Sequence, residues 1–492
     1  MIAEAASTSA AATAPPPDSG GRENAATDQQ PPSDWIRLLR FFYARSSVAN
    51  HYLRRRIRAP GIACGIVIVI TALFCMGRQS GPVFQIFSLT IGVTAVAFAG
   101  AFFRRARLHA TRSLPHHGTV GEKIRYMVRV ENLGRRRLDH AWLAETAPDP
   151  RPATAQFAHA REPVEHLRNP FDRLFLYYRW RWLITRLRRF QGGQSASVLR
   201  IPAGETTTAW VELTPVRRGV FPLDDLRILL PDPLGVFQRC RRIPARPATL
   251  TVLPRRYRLP VLDLPGEARF QVGGDTATRT TGSSGEFLSL REYRPGDPLR
   301  LIHWKSWART GKPIVREIED TFFPRHGLVL DTFVPPGGEL CFEEAVSIAA
   351  SFTSTIERSE CLLDLMFLHG HAHRFTAGRG IARAEKMLEV LAAAEIEPHG
   401  DFPALLRLVL SHRDDLASCL CLMVGWDDQR ASFVRDLLRG GVSPVVLAVF
   451  PTEDSANTAA NHSPPNVPFL PLVAGHIEPG LHQLPQLLAT AG

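Results

Sequence analysis

Cysteine is sparse and unpatterned in this chain. Seven cysteines in 492 residues make an odd set with no framework spacing, which argues against a disulfide-stapled secreted domain and fits reduced cytoplasmic thiols. Cys64 and Cys75 fall in an apolar run, and Cys419 and Cys421 in a strand-like one. Large apolar side chains are almost absent from Met1 to Ser33, a stretch of Ala, Pro, Ser, Thr and Gln. Such a segment cannot bury enough surface to offset the entropy of ordering, so a disordered tail is expected over 1–33. The apolar core of a signal peptide is missing there too. Acidic balance is lacking: the net charge is +12 and the pI about 9.8, carried mostly by arginine. That charge clusters around two apolar runs, which favours a membrane surface over nucleic acid.

Those runs are what the chain does have. Nineteen uncharged residues lie between Arg58 and Arg78, and twenty-five between Arg78 and Arg104. At 1.5 Å per residue they would reach about 28 and 37 Å as helices, against a hydrocarbon core of about 30 Å. A transmembrane hairpin over 59–104 is therefore predicted, with its short connector at Gly77 to Pro82. Arg54, Arg55, Arg56 and Arg58 precede it and Arg104, Arg105, Arg107 and Arg112 follow. The positive-inside rule puts both termini in the cytoplasm of a multi-pass inner-membrane protein, with 34–58 as a basic juxtamembrane segment. Two buried helices of a soluble protein are the alternative.

From Leu108 the pattern changes to alternation. Ile124, Tyr126, Val128 and Val130 take every second position, and ETTTAWVELTP, FPLDDLRILLPDPLGVF and PATLTVLP repeat the theme between Pro and Gly turns. A β-sandwich-like domain over 108–260 is expected. The stretch at 166–193 interrupts it with arginines among aromatics at roughly helical spacing. It reads as an interfacial helix, an insert packed on the sandwich or a partner surface. Nucleic acid is a weaker reading because no binding-module motif accompanies it.

After a linker at 261–284, residues 321–475 alternate continuous apolar strands with amphipathic helices, the pattern of a doubly wound α/β domain with ligands at strand carboxyl ends. A tail at 476–492 is expected to follow. The strand end GLVLDTFVP invites comparison with the D-x-S-x-S metal site of von Willebrand factor A-like domains. Asp331 is present, but Phe333 and Pro335 stand at the hydroxyl positions, so a hard cation lacks its oxygens and no metal is expected. Asp427 and Asp428 follow a neighbouring strand and read as a helix cap. In HGHAH, Gly370 suggests a hairpin tip whose three histidines would not share a face. RTGKP lacks the residues of a phosphate loop, and TGSSG the flanks of a nucleophile elbow.

The densest polar chemistry lies at 285–320, GEFLSLREYRPGDPLRLIHWKSWARTGKPIVREIED. Asp297 followed by Pro298 predicts a helix start running to about Arg309, stopped by Gly311, with both faces packed and a strand after it. Opposed charges on a clasped helix should pair, which predicts a partly buried ion-pair hub clasping the sandwich to the α/β domain. His303 is the one candidate base here, with no nucleophile at useful spacing, so no catalytic residue is expected.

This segment closely resembles the signature of the bacterial domain of unknown function 58 family. Arg291, Glu292, Tyr293, Pro295, Gly296, Asp297, Arg300, Ile302, Trp304, Ala308, Arg309, Val315, Arg316 and Glu317 carry the match. RRGVFPLDDLRILLPDPLGVF, at 217–237, is similar to a second segment of that family. The resemblance implies a membrane-anchored protein with a von Willebrand factor A-like domain that works with a MoxR-type AAA+ ATPase, in a family with no established enzymatic activity; no cofactor is expected. A non-enzymatic scaffold or adaptor is the expectation, with the lipid bilayer and that ATPase as partners. A metal-dependent binding protein or hydrolase using the strand end near Asp331 is the alternative.

Overall fold

The computed structural model describes residues 33–75, 81–103, 106–260 and 286–491, apart from short gaps at 149, 161, 163–164, 298, 320–324, 336, 357–360, 378–380, 398–399 and 465. The expected tail at 1–33, but for Ser33, and the linker lie outside them. The chain divides into two compact units, Met1–Asn50 with Pro150–Leu187 and His51–Asp149 with Arg188–Gly492.

In the first unit, α1 (Asp34–Arg54) meets three short helices, α4 (Thr154–His159), α5 (Pro170–Phe175) and α6 (Tyr177–Leu187). Leu39, Phe157, Leu176, Trp180 and Leu183 form its core. Tyr43 stacks at 5.7 Å on Trp180, and its hydroxyl donates to Phe175 O at 2.8 Å. Arg179 is buried and reaches Glu165 and the carbonyls of Phe157 and Ala158. The arginine-aromatic insert thus packs on the nearby α4 and on α1, a partner more than a hundred residues away that local periodicity could not reveal. It is also two helices, broken at Leu176, whose φ of 52° closes α5.

In the second unit α2 (Ala59–Cys75) and α3 (Pro82–Phe103) pack against each other. Among the described residues α3, with 22 residues, is the helix long and apolar enough to cross a membrane; α2 has 17. Next come β1 (Leu108–Ser113), β2 (His117–Thr119), β3 (Ile124–Asn132), β4 (Leu138–Glu145), β5 (Phe190–Ser195), β6 (Leu199–Ile201), β7 (Thr206–Pro215), β8 (Gly219–Leu223), β9 (Leu226–Pro231), β10 (Gln238–Arg242) and β11 (Ala248–Leu253). One sheet runs β1-β3-β7-β5-β4-β9-β10 with β6 beside β4, and a smaller one runs β2-β11-β8. Ile124, Tyr126, Val128 and Val130 point inward from β3, and side chains of both sheets share a single core. Strand alternation follows from a sheet with one face buried.

A hairpin of β12 (Glu286–Glu292) and β13 (Ile314–Glu319) holds α7 (Trp304–Thr310) between its strands. The rest is β14 (Arg325–Leu330), α8 (Glu339–Ile356), β15 (Leu362–His369), β16 (His371–Ala377), α9 (Ile381–Ala393), α10 (Phe402–Leu410), β17 (Ser418–Val424), α11 (Asp428–Arg439), β18 (Pro444–Phe450), α12 (Glu453–Asn461), β19 (Phe469–Val473), α13 (Ile477–Leu481) and α14 (Leu484–Ala491). The sheet order is β16-β15-β14-β17-β18-β19, parallel except for β16. Every residue of β17 and β18 is buried, as a parallel sheet covered on both faces requires. The segment expected as a tail at 476–492 instead carries α13 and α14. Their Ile477, Leu481, Leu484 and Leu488 complete the domain core.

The two domains of this unit meet through Arg218, in the Arg-Arg-Gly motif before β8. Its Nε donates to Leu391 O at 3.1 Å, Nη2 donates to Ala394 O at 2.6 Å, Nη1 pairs with Glu343, and the guanidinium lies over Phe342. The planar fork reaches two carbonyls at the C-terminal end of α9, where the helix leaves its last acceptors short of intrahelical donors.

Candidate functional site

Asp331 leaves the carboxyl end of β14 between β15 and β17, where ligands bind on parallel sheets. Its carboxylate is wholly buried, at 0% exposure. Oδ1 accepts from Phe333 N at 2.9 Å, while Oδ2 accepts from Val424 N at 3.0 Å and Arg430 Nε at 2.7 Å. Arg430, in the first turn of α11, sends Nη1 to Asp427 Oδ2 and Nη2 to Phe333 O, each at 2.5 Å, and lies over the Phe402 ring. Burial pushes the Asp331 carboxyl up, and Arg430 with the two amide donors pulls against it.

Two carboxylates and a carbonyl therefore converge on one internal guanidinium. A metal ion at Asp331 would have to displace it. The two positions tested for hydroxyls hold Phe333, packed at 4.8 Å on Phe402, and exposed Pro335. Asp427 also caps α11, its Oδ1 accepting from Arg430 N at 3.0 Å. Sequence reasoning found both aspartates and missed Arg430. Its position three residues beyond the capping Asp427 was the available signal.

No group of three metal-ligating side chains occurs among the described residues. The histidines of HGHAH correct an expectation in a different way. Gly370 does form the hairpin tip, with φ of 68°, but His369 lies opposite His371, and His373 follows two residues on, so the three share a face. His371 and His373 lie ring to ring at 4.1 Å, with His373 also stacked on Phe367, while His369 turns toward Glu397.

The signature segment differs from its expected form. Asp297 does not cap a helix: its carboxylate takes two 2.7 Å hydrogen bonds from Arg291 and one of 2.8 Å from Arg294 N, closing the turn through Pro295 and Gly296. Those donors, Arg291 first, bring its carboxyl down to about 2. A single turn at Leu299–Leu301 follows, and α7 begins only at Trp304. The helix is interrupted because Ile302 bridges to Val315 and His303 N donates to Ile314 O at 2.8 Å, which holds the chain against β13. Gly311 stops α7 in the left-handed region, as its position predicts.

Among the described residues the charges of the segment are mostly open to solvent. Arg291 and Asp297 pair, Glu292 meets Lys312 at 3.1 Å in solvent, and Tyr293 N donates to Pro313 O. Arg300, Arg309 and Arg316 are exposed, and Glu317 sits on β13 opposite Ser289. The helix is not packed on both sides either. Trp304 is 65% exposed and stacks at 5.3 Å on Trp307, and Leu299 is 67% exposed. The hydrogen bonds described for the segment run within it, and Arg218 makes the bridge between sandwich and α/β domain that was expected here.

Comparison with known proteins comes to the same segment. The model of a family described as "Protein of unknown function DUF58" matches residues 289–406. A curated relative, "Uncharacterized protein YeaD" of Bacillus subtilis (strain 168), is 26% identical over 186 residues, or 38% of this chain and 45% of that protein. The chain thus aligns with under half the length of that relative. Among solved structures, the CARDB domain of a Pyrococcus furiosus protein shares 10% identity over 30% of this chain and 97% of the domain, with a TM-score of 0.16. Proximal thread matrix protein 1 from the mussel byssus shares 10% over 34% of this chain and 47% of its own, with a TM-score of 0.23. Overlaps this slight carry no argument.

Proposed function

We propose that this chain is a non-enzymatic inner-membrane scaffold or adaptor. The apolar helices α2 and α3 anchor it with both termini cytoplasmic. A von Willebrand factor A-like α/β domain and the signature segment engage a protein partner, a MoxR-type AAA+ ATPase acting in complex assembly or envelope processes. The observation that carries the adaptor reading is the stacked indole pair of exposed Trp304 and half-buried Trp307, flanked by exposed Leu299, Arg300 and Arg309. Tryptophan and arginine dominate the binding energy of protein interfaces, and an aromatic face left in water is costly without a partner. The identity of the partner rests on the family resemblance alone. Anchoring is supported by the apolarity of α3 and by the arginines that flank both helices.

The metal-dependent alternative is less well supported, because Arg430 already supplies the cation at Asp331. Crosslinking in native membranes tests the partnership: an AAA+ ATPase should be recovered, and repeated recovery of none would overturn it. A C-terminal reporter fusion should report from the cytoplasm, and an external signal would overturn the orientation.

A further inference from the structure

The turn between β9 and β10, Asp232 to Phe237, is sealed from within. The Asp232 carboxylate accepts from Leu234 N at 2.6 Å and from Phe237 N, Gly235 N donates to Asp232 O at 3.2 Å, and Asp232 N donates to Phe237 O at 2.9 Å. The start of α2 and the end of α3 hold it. Arg58 N donates to Val236 O at 3.1 Å, Gln238 N donates to Arg56 O at 2.8 Å, and Phe237 meets Phe98 edge-on at 5.9 Å. Two glycines permit the approach. A Cβ on Gly61 would lie 2.5 Å from Val236 O, and one on Gly100 would lie 3.2 Å from Pro233 Cδ.

At the tip, Leu234 is 52% exposed and faces along α3, sharing an apolar recess with Ser88, Leu89, Gly92, Val93 and Val96. Val96 lies about 6 Å and Ser88 about 18 Å beyond Gly100 along the helix axis, away from its arginine-flanked end. Irregular backbone survives at membrane depth only when its polar groups are satisfied by protein, and seven of this turn's are. We propose that this turn is a membrane-inserted wedge, with Leu234 among lipid acyl chains beside α3. The β-domain then carries its own lipid contact and is fixed in depth and rotation against the bilayer. This rests on the anchored reading, so the test must separate the two.

In sealed native membranes opened to the cytoplasmic side, Leu234→Cys and Leu89→Cys are each treated with a charged, water-soluble maleimide and, separately, with a membrane-soluble one. Labelling is read peptide by peptide, and Cys240, half-exposed on β10, serves as the aqueous control. Equal thermal unfolding of the variants and the parent protein shows that the fold is kept. Thiolates are scarce in hydrocarbon, so the charged reagent should label Leu234→Cys at least about tenfold more slowly than Cys240, while the membrane-soluble one labels it readily. Labelling of Leu234→Cys as fast as Cys240, with Leu89→Cys protected, overturns the wedge and leaves the anchor standing. Labelling of both by the charged reagent overturns the anchor and the wedge together. Exclusion of both reagents from Leu234→Cys means that protein covers it, and this too overturns the proposal.

Discussion

Replacing Arg430 with alanine should be among the most damaging single changes in the α/β domain. The substitution removes the guanidinium from a wholly buried Asp331 carboxylate and leaves Phe333 O without its donor, so Asp331 keeps only two amide partners. Breaking a buried pair by deleting one member costs about 3 to 5 kcal/mol, because the remaining charge is stranded in low dielectric. For a domain of this size each kcal/mol shifts the melting temperature by about 2 to 4 °C, so a fall of about 6 to 20 °C is expected. Arg430→Lys should recover little, since an ammonium cannot reach three acceptors with a planar fork. Removing both charges, Asp331→Ala with Arg430→Ala, should cost less than the sum of the single changes. Thermal unfolding of detergent-solubilised protein measures all three. An Arg430→Ala protein that melts within a degree of the wild type would refute the internal-cation account, as would stoichiometric Mg²⁺ bound at Asp331 in the unmodified protein.

Three further outcomes follow from the packing. His326 is buried on β14 with Nδ1 2.8 Å from Ser418 Oγ, and burial lowers its pKa from 6.5 to about 4. The unfolded chain therefore takes up this proton first. The stabilisation is complete above about pH 6.5 and is lost toward pH 4, amounting to roughly 3 kcal/mol, and denaturant titrations should show a slope that His326→Asn flattens. Arg218→Ala takes the Arg218 donor from Ala394 O and leaves Leu391 O only the Ala394 amide at 3.4 Å, and should cost about 1 to 3 kcal/mol, with faster amide exchange at the end of α9; unchanged exchange would refute the bridge. Gly61→Ala should disturb the Asp232–Phe237 turn, because its Cβ would lie 2.5 Å from Val236 O, and protease sensitivity near β10 should rise.

What could be read in the sequence depended on the range of the interaction. The alternation of Ile124 to Val130 and the apolar runs of β17 and β18 are local consequences of burial, and both are legible by inspection. Asp427 and Gly311 were legible for the same reason, since a cap and a left-handed stop act within one turn. The helix expected from Asp297 failed because a strand ten residues later takes the N–H of His303. Arg430, the partner of Asp331, lies 99 residues away, and its one local mark, the capping Asp427 three residues before it, does not show which distant carboxylate it reaches. The insert's aromatics gave a helical pattern but not its partner, Leu39 and Tyr43 on α1. The second core stripe, at Ile477 to Leu488, was misjudged as a tail because its helices are short and carry few capping signals.

The adaptor account is tested most directly by co-purification from solubilised native membranes of the wild-type protein and a Trp304→Ala, Trp307→Ala variant. Trp304 is exposed and its loss should cost within about 0.5 kcal/mol, whereas half-buried Trp307 should cost about 1 kcal/mol or more, so thermal unfolding must first show that the variant keeps its fold. The account predicts that an AAA+ ATPase accompanies the wild type and is lost from the variant. Equal recovery with both proteins would contradict the role of the indole face, and recovery of no ATPase with the wild type would contradict the partnership itself.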